Sequence, residues 1–595
     1  MSVAPMEPAA SPRDRAGTRH GLVAIAAAIA PGALLGIHLM LLLFFLNPRL
    51  DLEVATVARA GVVLALAVGI LVGAPLALAL RGRPERLLSA LPWGVTAAMA
   101  LAAAAQWAHV ALFAYYLPPG INVRLLKAAI GVSTFTVLCF YTALLHSMQR
   151  RRYGWRSRTV IATAALLSIV LTAERRWAFP RPQPPALELG MRTRPAQTNL
   201  AVIALEGATL DAILPLAEQG QLPFFSTLIR QGTYARLKTL SPPIRVAVWR
   251  SVATGAYPFR HGVVSDRTFA APFLAPTGPS PVGAGGAPQL ALMPWGSGFD
   301  RWARPLGVRT SDQPPGSRAP ALWQILGGAG LATAVVGWPG TTDNDPRDAS
   351  DGVLPDSFFE APDLAERATT AEAERLRPSL RTLDPTVFAA LGDAAPDGAK
   401  NAVIGDLWRE AVARDLLARS DRGAPTAIFV GLPGLLEVSR GSFGGYAAVH
   451  FDGDSRTVQR EAAQLVSGYY VSVDRLLGRL WASLPEPRLL AIVSGHGVRE
   501  PTHWRRLIST VWPERSLAAR IDGDADGVFM LLGDNLRSGE RLDRSALVDV
   551  APTLLYAMSQ PVPRDGDGKV MAAAFGSSFL MRNPLTFVPS YAALR

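Results

Sequence analysis

Five long apolar stretches, separated by short polar loops, fill the first third of the chain. Gly21–Leu46 carries no Asp, Glu, Lys or Arg. About 20 helical residues cross a hydrocarbon core of roughly 30 Å, so this stretch is long enough to span. Gly61–Leu80, Leu87–Tyr116, Ala128–Met148 and Thr159–Ala173 repeat the pattern, the last being the shortest. One such run fits a buried core helix, whereas five in series predict a five-helix membrane domain over 21–173 behind a cytoplasmic tail at 1–20. Four further segments after the first also make it a retained anchor and not a cleaved signal peptide.

Past residue 173 the texture changes. Residues 174–197 hold Pro180, Pro182, Pro184 and Pro185 among arginines and predict an extended linker. From Thr198 onward, short apolar runs are each followed by glycine: Leu200–Leu205, Ala332–Val336, Ala427–Val430 and Leu489–Val493. They alternate with helical patterns such as Ala462–Leu484. This predicts an α/β domain over 198–595 with a largely parallel sheet, whose ligands would sit beyond the carboxyl ends of the strands. The Gly/Pro-rich stretch Ala270–Pro320 falls in an insertion or cap of about 266–400.

Composition sharpens this picture through the placement of charge. The 595 residues are 49% hydrophobic and 18% charged, too few charges for a wholly soluble or disordered chain. The formal net charge of +12 invites a nucleic-acid reading. However, Arg13, Arg15 and Arg19 precede the first span, Arg81, Arg83 and Arg86 follow the second, and Arg150, Arg151, Arg152, Arg156 and Arg158 follow the fourth. The alternate loops, 47–60 and 117–127, hold only Arg49 and Arg59, and Arg124 and Lys127. Basic clusters on alternate loops place the N-terminus in the cytoplasm. Five crossings then carry the C-terminal domain to the periplasmic or extracellular side of a bacterial-type inner membrane. Much of the basic excess is thus an orientation signal, and no nucleic-acid partner is expected. Trp155 and Trp177 flank spans as interfacial anchors, and His38, His109 and His146 lie in or near spans. The single cysteine, Cys139, excludes an intramolecular disulfide and a thiolate metal cluster.

Several blocks of the C-terminal domain carry a resemblance. Ala201-Val-Ile-Ala-Leu-Glu-Gly-Ala-Thr-Leu-Asp211 is followed by Gln221-Leu-Pro-Phe-Phe-Ser-Thr-Leu-Ile229 and Val248-Trp-Arg-Ser-Val-Ala-Thr-Gly255. Pro258, His261-Gly262, Ala321–Leu326 and Val336-Gly-Trp-Pro339 come next. Ser494-Gly-His-Gly497, Asp526-Gly-Val-Phe529 and Asp549–Tyr556 complete the series. In this order the blocks resemble the type I phosphodiesterase/nucleotide pyrophosphatase branch of the alkaline phosphatase superfamily. The resemblance implies an alkaline phosphatase-like fold. It also implies two zinc ions held by Asp and His that clamp a phosphoester while a Thr or Ser hydroxyl attacks phosphorus in line.

Carried over position by position, that inventory is largely replaced. The first family Asp falls on Glu206 and the nucleophile on Arg245, a guanidinium that cannot attack phosphorus and would repel zinc. The Asp-x-x-x-His pair falls on Leu436 and Arg440. Ser-Asp-His-Gly reads Ser494-Gly495-His496-Gly497, and the last His falls on Gly523. His261 belongs to a framing block and is structural in the resemblance. The zinc pair is therefore not expected to bind, and no catalytic residue or metal ligand is assigned. Arg245 and Arg440 stand as candidate anion-binding groups, weighed against plain salt-bridged residues facing a silent cleft.

Two functional readings follow. One is a membrane-anchored pseudoenzyme that binds an anionic envelope lipid or glycan, or scaffolds an envelope complex. The alternative is an active metal-dependent phosphodiesterase, phosphatase or headgroup transferase with a rebuilt site. Glu206, Glu437, His496, Asp522, Asp524 and Asp526 would supply its hard ligands. The order of spans and outer domain also resembles that of bacterial phosphoethanolamine and phosphoglycerol transferases, an analogy of layout alone.

Overall fold

The computed structural model describes residues 12–50, 52–79, 84–151, 153–177, 198–275, 288–294, 298–312, 314–341, 353–359, 390–391, 395–419, 424–450, 457–499 and 525–591. It divides into a helical unit, Met1–Pro184 with Arg267–Pro315, and an α/β unit, Pro185–Asp266 with Gly316–Arg595. The linker predicted at 174–197 lies mostly outside the described residues.

The helical unit contains α1 (Pro12–Leu46), α2 (Val54–Ala79), α3 (Pro84–Leu112), α4 (Pro119–Met148) and α5 (Trp155–Trp177). All five are long and apolar enough to cross a membrane. The fifth helix is 23 residues long, beyond the 15 of the apolar run Thr159–Ala173. Its ends carry Arg156, Arg158 and Glu174–Arg176, charges that end an apolar run without ending a helix. Arg176 is buried, and its Nε and Nη2 donate to the carbonyls of Phe44 (2.7 Å) and Pro48 (3.0 Å) at the end of α1. An arginine placed there answers helix-end carbonyls that lack intrahelical partners.

α1 and α2 meet backbone to backbone. Gly32 and Gly36 on α1 lie against Val68–Gly69 and Leu64–Ala65 of α2, and Gly69 and Gly73 on α2 lie against Ile29 and Ala28 of α1, two small-xxx-small spacings that permit close approach. A Cβ on Gly36 would fall inside the van der Waals envelope of the Leu64 carbonyl, and one on Gly32 would lie 2.6 Å from the Val68 carbonyl oxygen. At the other end of this pair, the Arg267–Pro315 segment adds the antiparallel strands β3 (Thr268–Ala270), β4 (Gln289–Leu290) and β5 (Arg309–Ser311). Phe273, Leu274, Leu290 and Phe299 join Met40, Phe44, Ala60 and Leu64 in one buried cluster. Asn47 fastens it: its Nδ2 donates to the Leu292 carbonyl (2.7 Å) and its Oδ1 accepts from the Ala291 N–H (2.9 Å). Arg59 donates to the carbonyls of Phe273 and Ala275.

The α/β unit opens with β1 (Asn199–Leu205), α6 (Leu210–Glu218), α7 (Pro223–Gln231), β2 (Thr233–Lys238) and α8 (Arg245–Thr254). It continues with α9 (Leu322–Gly328), β6 (Thr333–Val336), β7 (Val353–Leu354), α10 (Asp397–Leu417), β8 (Ala427–Leu432), α11 (Gly434–His450), α12 (Thr457–Ser483) and β9 (Arg488–Ser494). β10 (Gly527–Gly533), β11 (Glu540–Arg541), β12 (Ser545–Ala546) and α13 (Val550–Ala557) follow. The sheet runs β11-β2-β10-β9-β1-β8-β6-β7, with β12 also beside β2. β9, β1, β8, β6 and β7 are mutually parallel, and β10 runs antiparallel to β9 and β2. The four strands expected from glycine-terminated apolar runs are β1, β6, β8 and β9, the inner part of this sheet. Such runs are buried on both faces, which explains their continuous hydrophobicity. Side chains of β8 show it: Ile428 and Val430 join the core with α10–α12, while Phe429 packs against Trp323 and Trp338 on the opposite face.

Candidate functional site

The parallel strands deliver their carboxyl ends to one edge of the sheet. Glu206 follows β1, Asp356 follows β7 and His496 follows β9, the positions where open α/β sheets place ligands. Arg245 stands in the first turn of α8. Its Nε lies 3.0 Å from both Glu206 carboxylate oxygens, and its Nη2 lies 2.7 Å from Oε1. The same Nη2 reaches Asp356 Oδ2 at 2.7 Å. Glu206 and Asp356 are buried, whereas the Arg245 side chain keeps about a third of its surface (32%). Desolvation works against the guanidinium charge, but the Glu206 and Asp356 carboxylates more than offset it and hold Arg245 above its ordinary range.

Asp356 extends the network. Its Oδ1 accepts from Arg409 Nη2 at 3.0 Å, and its N–H donates to Thr341 Oγ1 at 3.1 Å. Arg409, on α10, is buried and lies over the Phe359 ring at 4.7 Å from the centroid. One turn earlier, Asp406 accepts from Tyr469 Oη (2.7 Å) and from the Gly434 N–H (3.3 Å), which fixes the start of α11.

His496 is buried, and its Nδ1 lies 3.1 Å from the Gly497 carbonyl oxygen. Burial, and then the charges of Arg440 and Arg245, keep the imidazole below its usual value against the pull of Gly497 and Glu206. Glu206, Arg245 and Arg440 thus all act on His496. Arg440 pairs with Glu437 one turn away on α11. Leu436, by contrast, is a core residue. Gly495 is pressed against α8, where any side chain would collide with Val248. Asp526 pairs with Arg544 at 2.5 Å, while Gly523, Asp522 and Asp524 lie outside the described residues.

Sequence reasoning missed Asp356 and Arg409. Asp356 stands 150 residues from Glu206, behind a strand of two residues. The usable signal was its position, a carboxylate directly after Val-Leu-Pro, as Glu206 directly follows an apolar strand. For Arg409 it was the interruption of a helix face bearing Val403, Leu407 and Val412 by Asp406, Arg409 and Glu410.

The family model for type I phosphodiesterase/nucleotide pyrophosphatase matches residues 200–510, just over half of the chain. The chain belongs to this family. No curated protein matches it by sequence. Among solved structures, this family member is similar to a phosphonate monoester hydrolase from Silicibacter pomeroyi, at 15% identity and a TM-score of 0.34, covering 63% of this chain and 76% of that one. It is also similar to murine ectonucleotide pyrophosphatase/phosphodiesterase 5, at 12% identity and a TM-score of 0.33 over 62% and 98%. A 2-O GAG sulfatase matches at 12% identity and a TM-score of 0.36 over 64% and 74%.

The zinc pair that the resemblance implies does not fit the described residues. Both Glu206 oxygens face Arg245, Leu436 and Gly495 offer no donor, and Arg440 is a cation. No group of three or more His, Cys, Asp or Glu among the described residues is arranged to hold a metal ion. The alternative ligand set is also dispersed, with Glu437 on Arg440 and Asp526 on Arg544.

Two buried histidines set an expected pH response. His261 is held well below its ordinary value by burial and then by Arg250 and Arg318, and its imidazole contacts Ser251 Oγ at 2.9 Å and the Val263 N–H at 3.1 Å. His496 is shifted in the same direction. Below pH ~6.5 the unfolded chain takes up protons that the folded chain refuses, so stability falls with pH, by at most about 1.4 kcal/mol per unit per histidine. Thermal unfolding between pH 7 and 5 should show this loss. A slope unchanged by both His261→Asn and His496→Gln would assign it elsewhere.

Proposed function

We propose that the chain is a membrane-anchored family member that does not hydrolyse phosphoesters and works by binding. The observation that carries this reading is Arg245, held at the nucleophile position by Glu206 and Asp356. A permanently charged guanidinium has no lone pair for attack, and here its Nε and Nη2 donors are turned onto buried carboxylates. With Arg245 committed to carboxylates, the group left to meet an anionic envelope lipid or glycan is Arg440. Its Nη1 serves Glu437, while its Nε, a buried atom, has no hydrogen-bond partner among the described residues. Holding an envelope complex together through the outer face of the α/β unit is the form of this function that needs no ligand.

The arginine clusters before α1, after α2 and after α4 support an N-terminus in the cytoplasm and an α/β unit across the membrane, in the manner of a bacterial inner-membrane protein. A cysteine introduced at exposed Met581 in a Cys139→Ala background should then react with an impermeant thiol reagent on intact cells. For chemistry, the full chain in detergent is expected to leave a chromogenic phosphodiester at the reagent-blank rate with Zn²⁺, Mn²⁺ or Mg²⁺ added. Metal-dependent turnover abolished by Glu206→Gln would sink the reading.

A further inference from the structure

We propose that Arg245 is the resident cation of this fold. Its guanidinium does the cross-linking that bound metal would otherwise supply, so the α/β unit is metal-independent and arginine-dependent for its stability. The inference goes beyond absence of hydrolysis, because a silent cleft does not require a cation at all.

The geometry makes the requirement specific. Glu206 and Asp356 are buried carboxylates, at 1% and 3% exposure, and both touch one nitrogen, Arg245 Nη2. Two buried anions brought this close repel strongly unless a cation lies between them. They also come from distant parts of the sheet. β1 and β7 are separated by β8 and β6, and neighbouring strands lie ~4.8 Å apart, so the arginine ties the middle of the sheet to its edge. That edge needs tying, since β7 contributes only Val353 and Leu354 to pairing with β6. Asp356 passes the connection to Arg409 and hence to α10. One charge chain, Glu206–Arg245–Asp356–Arg409, thereby joins β1, α8, the β7 edge and α10. A planar fork suits this task, because it serves two carboxylates at once through fixed N–H directions.

The test is a stability cycle on the full chain in detergent, read by thermal unfolding and by amide hydrogen exchange across 353–359. The wild-type Tm should be the same with chelator and with excess Zn²⁺. Arg245→Met should lower it by about 5 °C and speed exchange at the β7 edge. In a Glu206→Gln background the same substitution should cost less than half as much, since half of the demand for charge is gone. Arg245→Lys, which keeps the charge but loses the fork, should fall between wild type and Arg245→Met, and it stands in if the methionine variant fails to fold. A wild-type Tm that drops on chelation overturns the proposal, as does an Arg245→Met penalty equal in both backgrounds. A lysine variant no better than methionine overturns it as well. None of these outcomes depends on turnover, so the stability cycle and the hydrolysis assay fail separately.

Discussion

Gly36→Leu is expected to keep α1 and α2 from closing on each other and to cost the chain its folded helical unit. The two helices touch through backbone, and a side chain at residue 36 would have to occupy the space of the Leu64 carbonyl and the Ala65 Cα. Nothing flexible is available to yield there. The helices must separate along their whole shared face, which also loosens Gly32 against Val68 and Gly73 against Ala28 and Ile29. Ordinary overpacking costs about 1–3 kcal/mol, and a backbone–backbone seam in a membrane has close packing as its main source of association. Gly61→Ala is the matched control. Its Cβ would meet only the Met40 sulfur at 3.4 Å, and alanine gains helix propensity of up to about 1 kcal/mol over glycine. Yield of monodisperse protein in detergent and its Tm should therefore collapse for Gly36→Leu and hold for Gly61→Ala. Equal behaviour of the two variants would show that the seam is not tight.

Asp356→Ala is expected to be the most damaging single change in the α/β unit. It takes the second carboxylate from Arg245 and the buried anion that pairs with Arg409, whose side chain is 4% exposed. Removing one member of a buried pair leaves an uncompensated charge and costs about 3–5 kcal/mol. Phe359 offers Arg409 a ring face, which softens the loss without replacing an anion. Asp415→Ala on the same helix is the contrast. Its partner Arg419 is reached across a pair with far more exposure, and such pairs contribute about 0–1 kcal/mol. Denaturant unfolding of the two variants should separate them by more than 2 kcal/mol on these magnitudes. A difference within error would mean that Arg409 finds water or another acceptor when Asp356 is gone.

The parts of the fold that were legible in the sequence are those with a one-dimensional signature. Spans announce themselves as uninterrupted apolar length, and strands buried on both faces as short apolar runs closed by glycine. Less legible were elements whose identity depends on what lies opposite. Gly32, Gly36, Gly69 and Gly73 read as length within apolar runs, because nothing in either helix alone says that each meets the backbone of the other helix. The ends of α5 were lost for a related reason: Arg176 looks like a terminator until the carbonyls of Phe44 and Pro48 are placed beside it. At the site, Glu206, Arg245 and His496 were reachable through the order of conserved-type blocks in the resemblance. Asp356 and Arg409 were not, since no block contains them and their meaning lies in contacts distant in the chain, Asp356 with Arg245 across 111 residues and Arg409 with Asp356 across 53.

The Arg267–Pro315 segment has a consequence for how the molecule is made. Asn47 leaves the ribosome 245 residues before Leu292, the residue whose carbonyl its side-chain amide finally reaches. In between come β1, β2 and α8, the first pieces of the other unit; β6 through β10 emerge only afterwards. Neither unit is contiguous in the chain, so each is begun before the other is finished. The α1–α2 pair waits in an incomplete state while the sheet is started, and the sheet waits while the helical unit receives its last segment. Assembly is therefore interleaved, and no single cut in the polypeptide separates the chain into one whole unit and the other.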